Sequence, residues 1–235
     1  MFLCRNPQCQ KIRMFALSCI QNTEFGLNNQ GFLFIGKYAL IVCNIMKKQI
    51  ITICGGLGSG KSSTAKKVAQ VLGFKHFSSG DFFRQVGLEL GLSINEVNKR
   101  AETDSKIDEM TDQKLRDLNN ADKIVVDSRT AYHWIPESFK VYLDLPAEIA
   151  KERILNSIGE DKLRKQSEQA STSEEVFQKM NERFLSEQKR YWNLYKIDNT
   201  DKNNFDLVID TDKNNLEQVV GIIVAEYKKW LGKMY

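Results

Sequence analysis

The run Gly55-Gly56-Leu57-Gly58-Ser59-Gly60-Lys61-Ser62 is where the chain most plainly offers chemistry. It fits the G-x-x-x-x-G-K-[ST] pattern, in which a glycine-rich bend aims successive backbone N–H groups at one anion. Lys61 can reach the β- and γ-phosphates of a nucleotide, and the Ser62 hydroxyl can hold Mg²⁺. The flanks support this reading over that of an ordinary glycine-rich turn. Before the run stands Ile50-Ile51-Thr52-Ile53-Cys54, a β-branched stretch. After it, Ala65, Val68, Ala69 and Leu72 repeat at helical spacing until Gly73. A helix starting near Lys61 adds the positive end of its dipole to the phosphate site.

Two further groups carry charge in useful places. Ser79-Gly80-Asp81-Phe82-Phe83-Arg84 puts an arginine one turn into a helix capped by Ser79 or Asp81. A guanidinium fork there suits the phosphate of an acceptor; the plainer reading is a helix cap with a surface arginine. Val126-Asp127-Ser128-Arg129 ends a β-branched run in a carboxylate. Beside a phosphate loop, such a carboxylate orders water on Mg²⁺. Arg129 is expected to point into the same cleft, the alternative being a surface-loop arginine.

The elements that must position these residues alternate. Strands are predicted at 49–54, 74–77, 123–127, 139–144 and 205–210. Helices are predicted at 60–72, 81–90, 93–101, 104–119, 147–157, 173–196 and 214–231. Such alternation argues for a parallel sheet with helices on both faces and ligands beyond the carboxyl ends of the strands. The last helix carries Leu216, Val219, Val220, Ile223 and Tyr227 on one stripe, as a core-packing helix does. Two charged regions do not read as scaffold: 81–121, helical and set between the second and third strands, and 158–200, between the fourth and fifth. In a phosphoryl-transfer enzyme these are the places for an acceptor-binding arm and a water-excluding lid. The alternative is a pair of solvated helical regions with i,i+4 charge pairs.

Composition narrows the rest. The chain has 235 residues, 42% hydrophobic, enough for one full core with or without an extension. Of the net charge of +4, most lies in residues 1–45, where Arg5, Lys11, Arg13 and Lys37 oppose Glu24 alone. The near-neutral remainder excludes a broad nucleic-acid surface. Four of the five cysteines also lie before residue 45, in no zinc-ligand spacing, and His76 and His133 are the only histidines. A reduced, cytoplasmic protein is the simplest expectation. Residues 1–45 are expected to contribute no chemistry. Met46 reads best as the true start, since Met46-Lys47-Lys48-Gln49 leads into the first strand. A targeting or interfacial segment and a packed accessory element are the other readings. The apolar stretch Gly31–Met46 is short for a membrane span and holds Lys37.

Residues 49–231 resemble the archaeal-type cytidylate kinases, of the nucleoside monophosphate kinase fold among P-loop NTPases. The resemblance is carried by Ile53-Cys54-Gly55 through Ser62-Ser63, by Ser79-Gly80-Asp81-x-Phe83-Arg84, and by Asp127-Ser128-Arg129 ahead of Trp134. Further matches are Ser186-Glu187-x-x-Arg190-Tyr191, running into Tyr195-Lys196-Ile197-Asp198, and Asp206-Leu207-Val208-Ile209-Asp210-Thr211. It implies an α/β fold with a five-stranded parallel sheet and ATP-dependent phosphorylation of CMP or dCMP to CDP or dCDP. Gly55, Gly56, Leu57, Gly58, Ser59, Gly60, Lys61, Ser62 and Ser63 would hold the ATP phosphates. Asp81, Arg84, Asp127 and Arg129 would line the acceptor, and Ser62 and Asp127 would place Mg²⁺. Arg153 resembles a lid-edge arginine near the adenine. Arg183 and Arg190 resemble lid arginines that approach the transferring phosphoryl group. With Lys61, Arg84 and Arg129 they would stabilise charge, because phosphoryl transfer demands positioning more than covalent steps.

The chain departs from the family in three places, one of them the polar and less familiar segment Asp161–Ser173. Gly56-Leu57 replaces a frequent Pro-Pro, at some loss of rigidity. Asn156 and Ser157 stand where a second arginine often follows the lid-edge one. Base recognition is expected within Asp104 to Arg116, where no single residue type tells cytosine from adenine. An adenylate-kinase-like or other small-molecule kinase is the nearest alternative. A nucleotide-binding module without turnover is a more distant one, since it needs no acceptor arginines. The expected partners are small nucleotides, with no nucleic acid and no membrane, and the protein is expected to be a monomer.

Overall fold

The computed structural model describes residues 48–160 and 172–232. The expected N-terminal extension at 1–45, the alternative start at Met46, and the 161–171 part of the expected lid lie outside them.

Five strands form one parallel sheet: β1 Ile50–Gly55, β2 Lys75–Ser78, β3 Ile124–Asp127, β4 Phe139–Asp144 and β5 Leu207–Asp210. Their order across the sheet is β2-β3-β1-β4-β5. The central strands β1 and β3 are buried along their whole length, which is why both read as unbroken apolar, β-branched runs. The helices are α1 Lys61–Leu72, α2 Ser79–Glu89, α3 Ile94–Ala101, α4 Lys106–Asp117, α5 Ala131–Trp134, α6 Ala147–Glu160, α7 Ser173–Tyr195 and α8 Leu216–Gly232. The five-stranded parallel architecture is the one expected from the alternation of strand and helix runs.

One apolar cluster joins Ile51, Ile53, Val141 and Leu143 of the sheet to Val68 of α1 and Ile223 and Tyr227 of α8. A second joins Ile50, Ile124 and Val126 to Leu115, Leu118 and Ile135. Each fully buried Ile, Leu or Val here contributes about 1.5–3 kcal/mol, so the sheet is a rigid platform. Smaller clusters hold the appended pieces. Val86, Val97, Ala101 and Ile107 tie α2, α3 and α4 together. Ile154 and Val176 tie α6 to α7.

Parallel register places the carboxyl ends of the strands side by side: Ile53 and Ser78 both pair with Asp127, Gly55 pairs with Leu143, and Asp144 with Asp210. Helix starts explain the flanking walls. Capping boxes open α3 (Ser93 with Glu96) and α7 (Thr172 with Glu175). Helix α2 begins at Ser79, two residues earlier than predicted. Ser78 holds its cap position without a side-chain hydrogen bond, and the Asp81 carboxylate, predicted as a possible cap, pairs with Arg84. The short α5 was not predicted. Ser128 accepts hydrogen bonds from the backbone N–H groups of Thr130 and Ala131 and so starts it.

Candidate active site

The loop from β1 to α1 closes around one carbonyl. Ser59 Oγ donates to Gly56 O at 2.9 Å and Lys61 Nζ donates to the same oxygen at 3.2 Å. Two glycines are sterically required. A Cβ on Gly55 would lie 2.6 Å from Leu143 O and 2.7 Å from Ser59 Oγ. At Gly58, φ is +68° and a Cβ would meet Ala150 O at 2.9 Å. Helix α1 starts at Lys61 with no acidic residue in its first turn, so the positive end of its dipole is not neutralised there. Lys61 is half-buried. Desolvation, with Arg129 nearby, pushes its pKa down to about 8 against the pull of Asp127.

Ser62 Oγ donates to Asp127 Oδ2 at 2.5 Å, so the loop hydroxyl and the β3 carboxylate share one point. Two hard oxygens on rigid elements are the kind of partial set that Mg²⁺ uses while keeping several waters. Arg129 pairs with Glu187 of α7 and lies 4.9 Å from the centre of the Phe184 ring, with its Nε unpartnered. Burial opposes its charge, but Glu187 and Tyr191 outweigh that and keep its pKa above the ordinary value. The Cys54 thiol beneath the loop is pushed up to about 11 by burial, which leaves it an unreactive core group.

Arginines approach from three helices. On the α2 side, Arg84 forms an exposed pair with Asp81. On the α7 side, Arg190 is 8% exposed and its guanidinium meets Asp108 of α4 through Nε at 2.8 Å and Nη2 at 3.4 Å, with Nη1 on Ser186 at 2.9 Å. Arg153 of α6 donates to Thr211 O at 2.8 Å and lies 3.7 Å from Asp212.

One cavity of about 680 Å³ unites these groups. Leu57, Gly58, Ser59, Gly60, Lys61, Ser62 and Ser63 line it, as do Arg84, Asp127, Arg129, Arg153, Arg183 and Arg190. Three residues expected at the site do not: Gly55, Gly56 and Asp81. The Gly56 carbonyl accepts from Ser59 and Lys61, and the Asp81 carboxylate pairs with Arg84, which lines the cavity. Asp108, Thr111 and Asp112, within the Asp104 to Arg116 stretch expected to read the base, are on the wall, as are Asn98 and Glu187, which sequence reasoning gave no role. For Asn98 and Glu187 the available signal was membership of polar helices, a property shared with solvated faces. Among the described residues, no helix is long and apolar enough to cross a membrane.

Residues 54–178 match the family described as AAA domain. The chain is 34% identical over 179 residues to a cytidylate kinase of Pyrococcus horikoshii, a match covering 76% of this chain and 88% of that protein. It is 37% identical over 177 residues to a cytidylate kinase of Natronomonas pharaonis, covering 74% and 86%. Among solved structures, a gluconokinase from Sinorhizobium meliloti superposes with a TM-score of 0.51 at 14% identity, covering 80% of this chain and 97% of that one. That last likeness is one of fold.

Proposed function

We propose, because the chain belongs to the AAA-domain family and to the cytidylate kinases, that it transfers the γ-phosphoryl group of ATP directly to CMP or dCMP. The single observation that carries this reading is the shared cavity. The phosphate loop with Lys61 and the arginines Arg84, Arg129, Arg153, Arg183 and Arg190 border one space large enough for two anionic ligands.

In this reading the backbone of Gly55 to Ser63 cradles the ATP phosphates and Lys61 bridges the β- and γ-oxygens. Arg153 lies on the adenine side. Arg84 and Arg129 receive the acceptor phosphate, with Asp127 beside them and Asp81 steering Arg84. Arg183 and Arg190 face the phosphoryl group in flight, where charge spreads over its equatorial oxygens. Ser62 and Asp127 would hold Mg²⁺, which supplies charge neutralisation for the phosphates. No general base is needed. The acceptor oxygen belongs to a phosphate with a second pKa near about 6, so it is already ionised at neutral pH. Neither histidine lines the cavity.

The helices between β2 and β3, about residues 81–121, would act as the acceptor arm. Helix α7 would form the described part of the lid expected over about 158–200. The kinase domain would run over residues 46–235, with residues 1–45 an extension to it that carries no part of the chemistry. We place the protein in the cytoplasm as a monomer, beside its small nucleotide substrates. The deciding experiment is a screen of CMP, dCMP, UMP, AMP and GMP with ATP, read by ADP release. Turnover of CMP or dCMP above the other three is the expected result. Turnover of AMP alone, or of no acceptor, would defeat the reading.

A further inference from the structure

The Arg129 guanidinium, just beyond β3, meets two side chains of α7. The Glu187 carboxylate accepts from its Nη1, and the Phe184 ring, one turn earlier on the helix, has its centre 4.9 Å from the guanidinium carbon. All three residues line the cavity. The side chains of Arg129 and Glu187 are both largely buried. Burial opposes the charge of Arg129, and Glu187 is foremost among the groups that restore it. A guanidinium so placed needs an anion beside it.

A guanidinium holds two oxygens of an anion along one of two edges, Nε with Nη2 or Nη1 with Nη2. The Nε of Arg129 is buried without a partner, which closes the first edge to a ligand. The end formed by the two Nη atoms remains, and Glu187 sits on it. A phosphate that takes Arg129 by both Nη atoms meets the carboxylate there, and two anions so close repel. The surroundings allow one to replace the other. Arg190, three residues beyond Glu187, is held by Asp108 of α4, which keeps α7 in place while a single side chain turns away. Phe184 continues to cover its side of the guanidinium.

We propose that Glu187 and the acceptor phosphate compete for the Nη end of Arg129, so that binding of the acceptor turns the Glu187 carboxylate away. A phosphate carries more charge than a carboxylate and offers three acceptor oxygens, so it wins the exchange. The affinity it shows is what remains after the Glu187 bond is broken. Glu187 is thus a positioning residue that acts through Arg129. It keeps the guanidinium paired and aimed at the cavity, and it weakens acceptor binding in doing so. The inference rests on the reading of CMP as acceptor with its phosphate on Arg129.

The test measures the Kd of CMP by calorimetry without ATP, and KM for CMP and for ATP, at pH 7.5 in the wild type, Glu187→Gln and Glu187→Ala. The amide of Glu187→Gln can still accept from Nη1, but carries no charge. Both variants are expected to bind CMP about tenfold more tightly, the difference between a charge-assisted and a neutral hydrogen bond. KM for CMP should fall in step, with a smaller change in KM for ATP. Unchanged or weaker CMP binding in a folded variant overturns the inference, since removing a carboxylate that only orients Arg129 would cost affinity. An equal gain for ATP and CMP overturns it as well, because that marks a diffuse charge effect and not a contest for Arg129. Glu187→Ala decides the matter if Glu187→Gln does not fold. A wild type that neither binds nor phosphorylates CMP defeats the functional reading beneath, and the inference falls with it.

Discussion

The Arg190 guanidinium of α7 is fastened to the Asp108 carboxylate of α4 by two hydrogen bonds, across 82 residues of sequence. Their side chains are 9% and 4% exposed. Burial raises the proton affinity of Asp108, while the Arg190 hydrogen bond and charge oppose that. The pair clamps the long helix to the arm, and so sets the width of the cavity between them.

Breaking one half of a buried ion pair leaves the other charge uncompensated, at a cost of about 3–5 kcal/mol. Asp108→Ala should therefore lower stability by about that much, read as a shift in the urea midpoint with unchanged slope. Replacing both residues with apolar ones, Asp108→Leu with Arg190→Met, should recover most of the loss in stability while activity stays low. A single variant as stable as wild type would show that the pair is not a clamp.

Lys61 gives a pH signature. Its pKa near 8 in the folded protein, against 10.5 ordinarily, means that it sheds its proton as pH rises through 8. The unfolded chain holds that proton up to its higher pKa, so stability attributable to Lys61 rises with pH between about 8 and 10.5. Binding runs the other way, because a neutral amine does not attract phosphates. The kcat/KM for ATP should fall above pH 8, and Lys61→Arg, which stays charged, should remove that limb even if its activity is lower. Lys61→Ala should abolish transfer.

Gly58 tests the loop backbone. Alanine there would need a left-handed φ and would press its Cβ against Ala150 O at 2.9 Å. Gly58→Ala is expected to reduce stability by about 1–2 kcal/mol and to weaken ATP binding at least tenfold by calorimetry. Gly56→Ala, with nothing within 4 Å of its Cβ, should leave stability nearly unchanged.

Asp112 should reveal itself by the sign of its effect on stability. Burial, with Asp108 on the same helix, pushes its pKa up to about 6 from 3.8; Tyr195, Trp134 and Arg116 pull the other way. The folded protein therefore holds that proton more tightly than the unfolded chain. Stability is lost as pH rises through the window from 3.8 to 6, on the order of 2–3 kcal/mol in all. Asp112→Asn should raise Tm at pH 7.5 and have little effect at pH 4. A structural anchor for Tyr195 and Trp134 would give a lower Tm at both.

Much of the fold was legible because its signals are local. The β-branched runs at Ile50–Cys54 and Lys123–Asp127 stand out since both faces of a central parallel strand are buried. Gly55 and Gly58 stand out since only glycine fits their contacts. Arg84, Asp127 and Arg129 could be picked out because they lie at or just after strand ends, and strand ends are where a parallel sheet collects its ligands. Asn98 and Glu187 were hidden, and within Asp104 to Arg116 no single residue stood out. A polar residue on a polar helix looks the same whether it meets water or a ligand. The α5 turn was hidden too, since four residues carry no periodicity.

The amino-acid order by itself determined the alternation of strand and helix, the phosphate loop and the end of the sheet at which it opens, because each depends on neighbours a few residues apart. The tertiary structure alone decided that Arg190 grips Asp108, that Arg129 grips Glu187, and that Asp112 is buried beside Tyr195 and Trp134. Those outcomes depend on how helices rotate against one another over a finished sheet. Burial and partnership arise from that packing, and no local pattern encodes them.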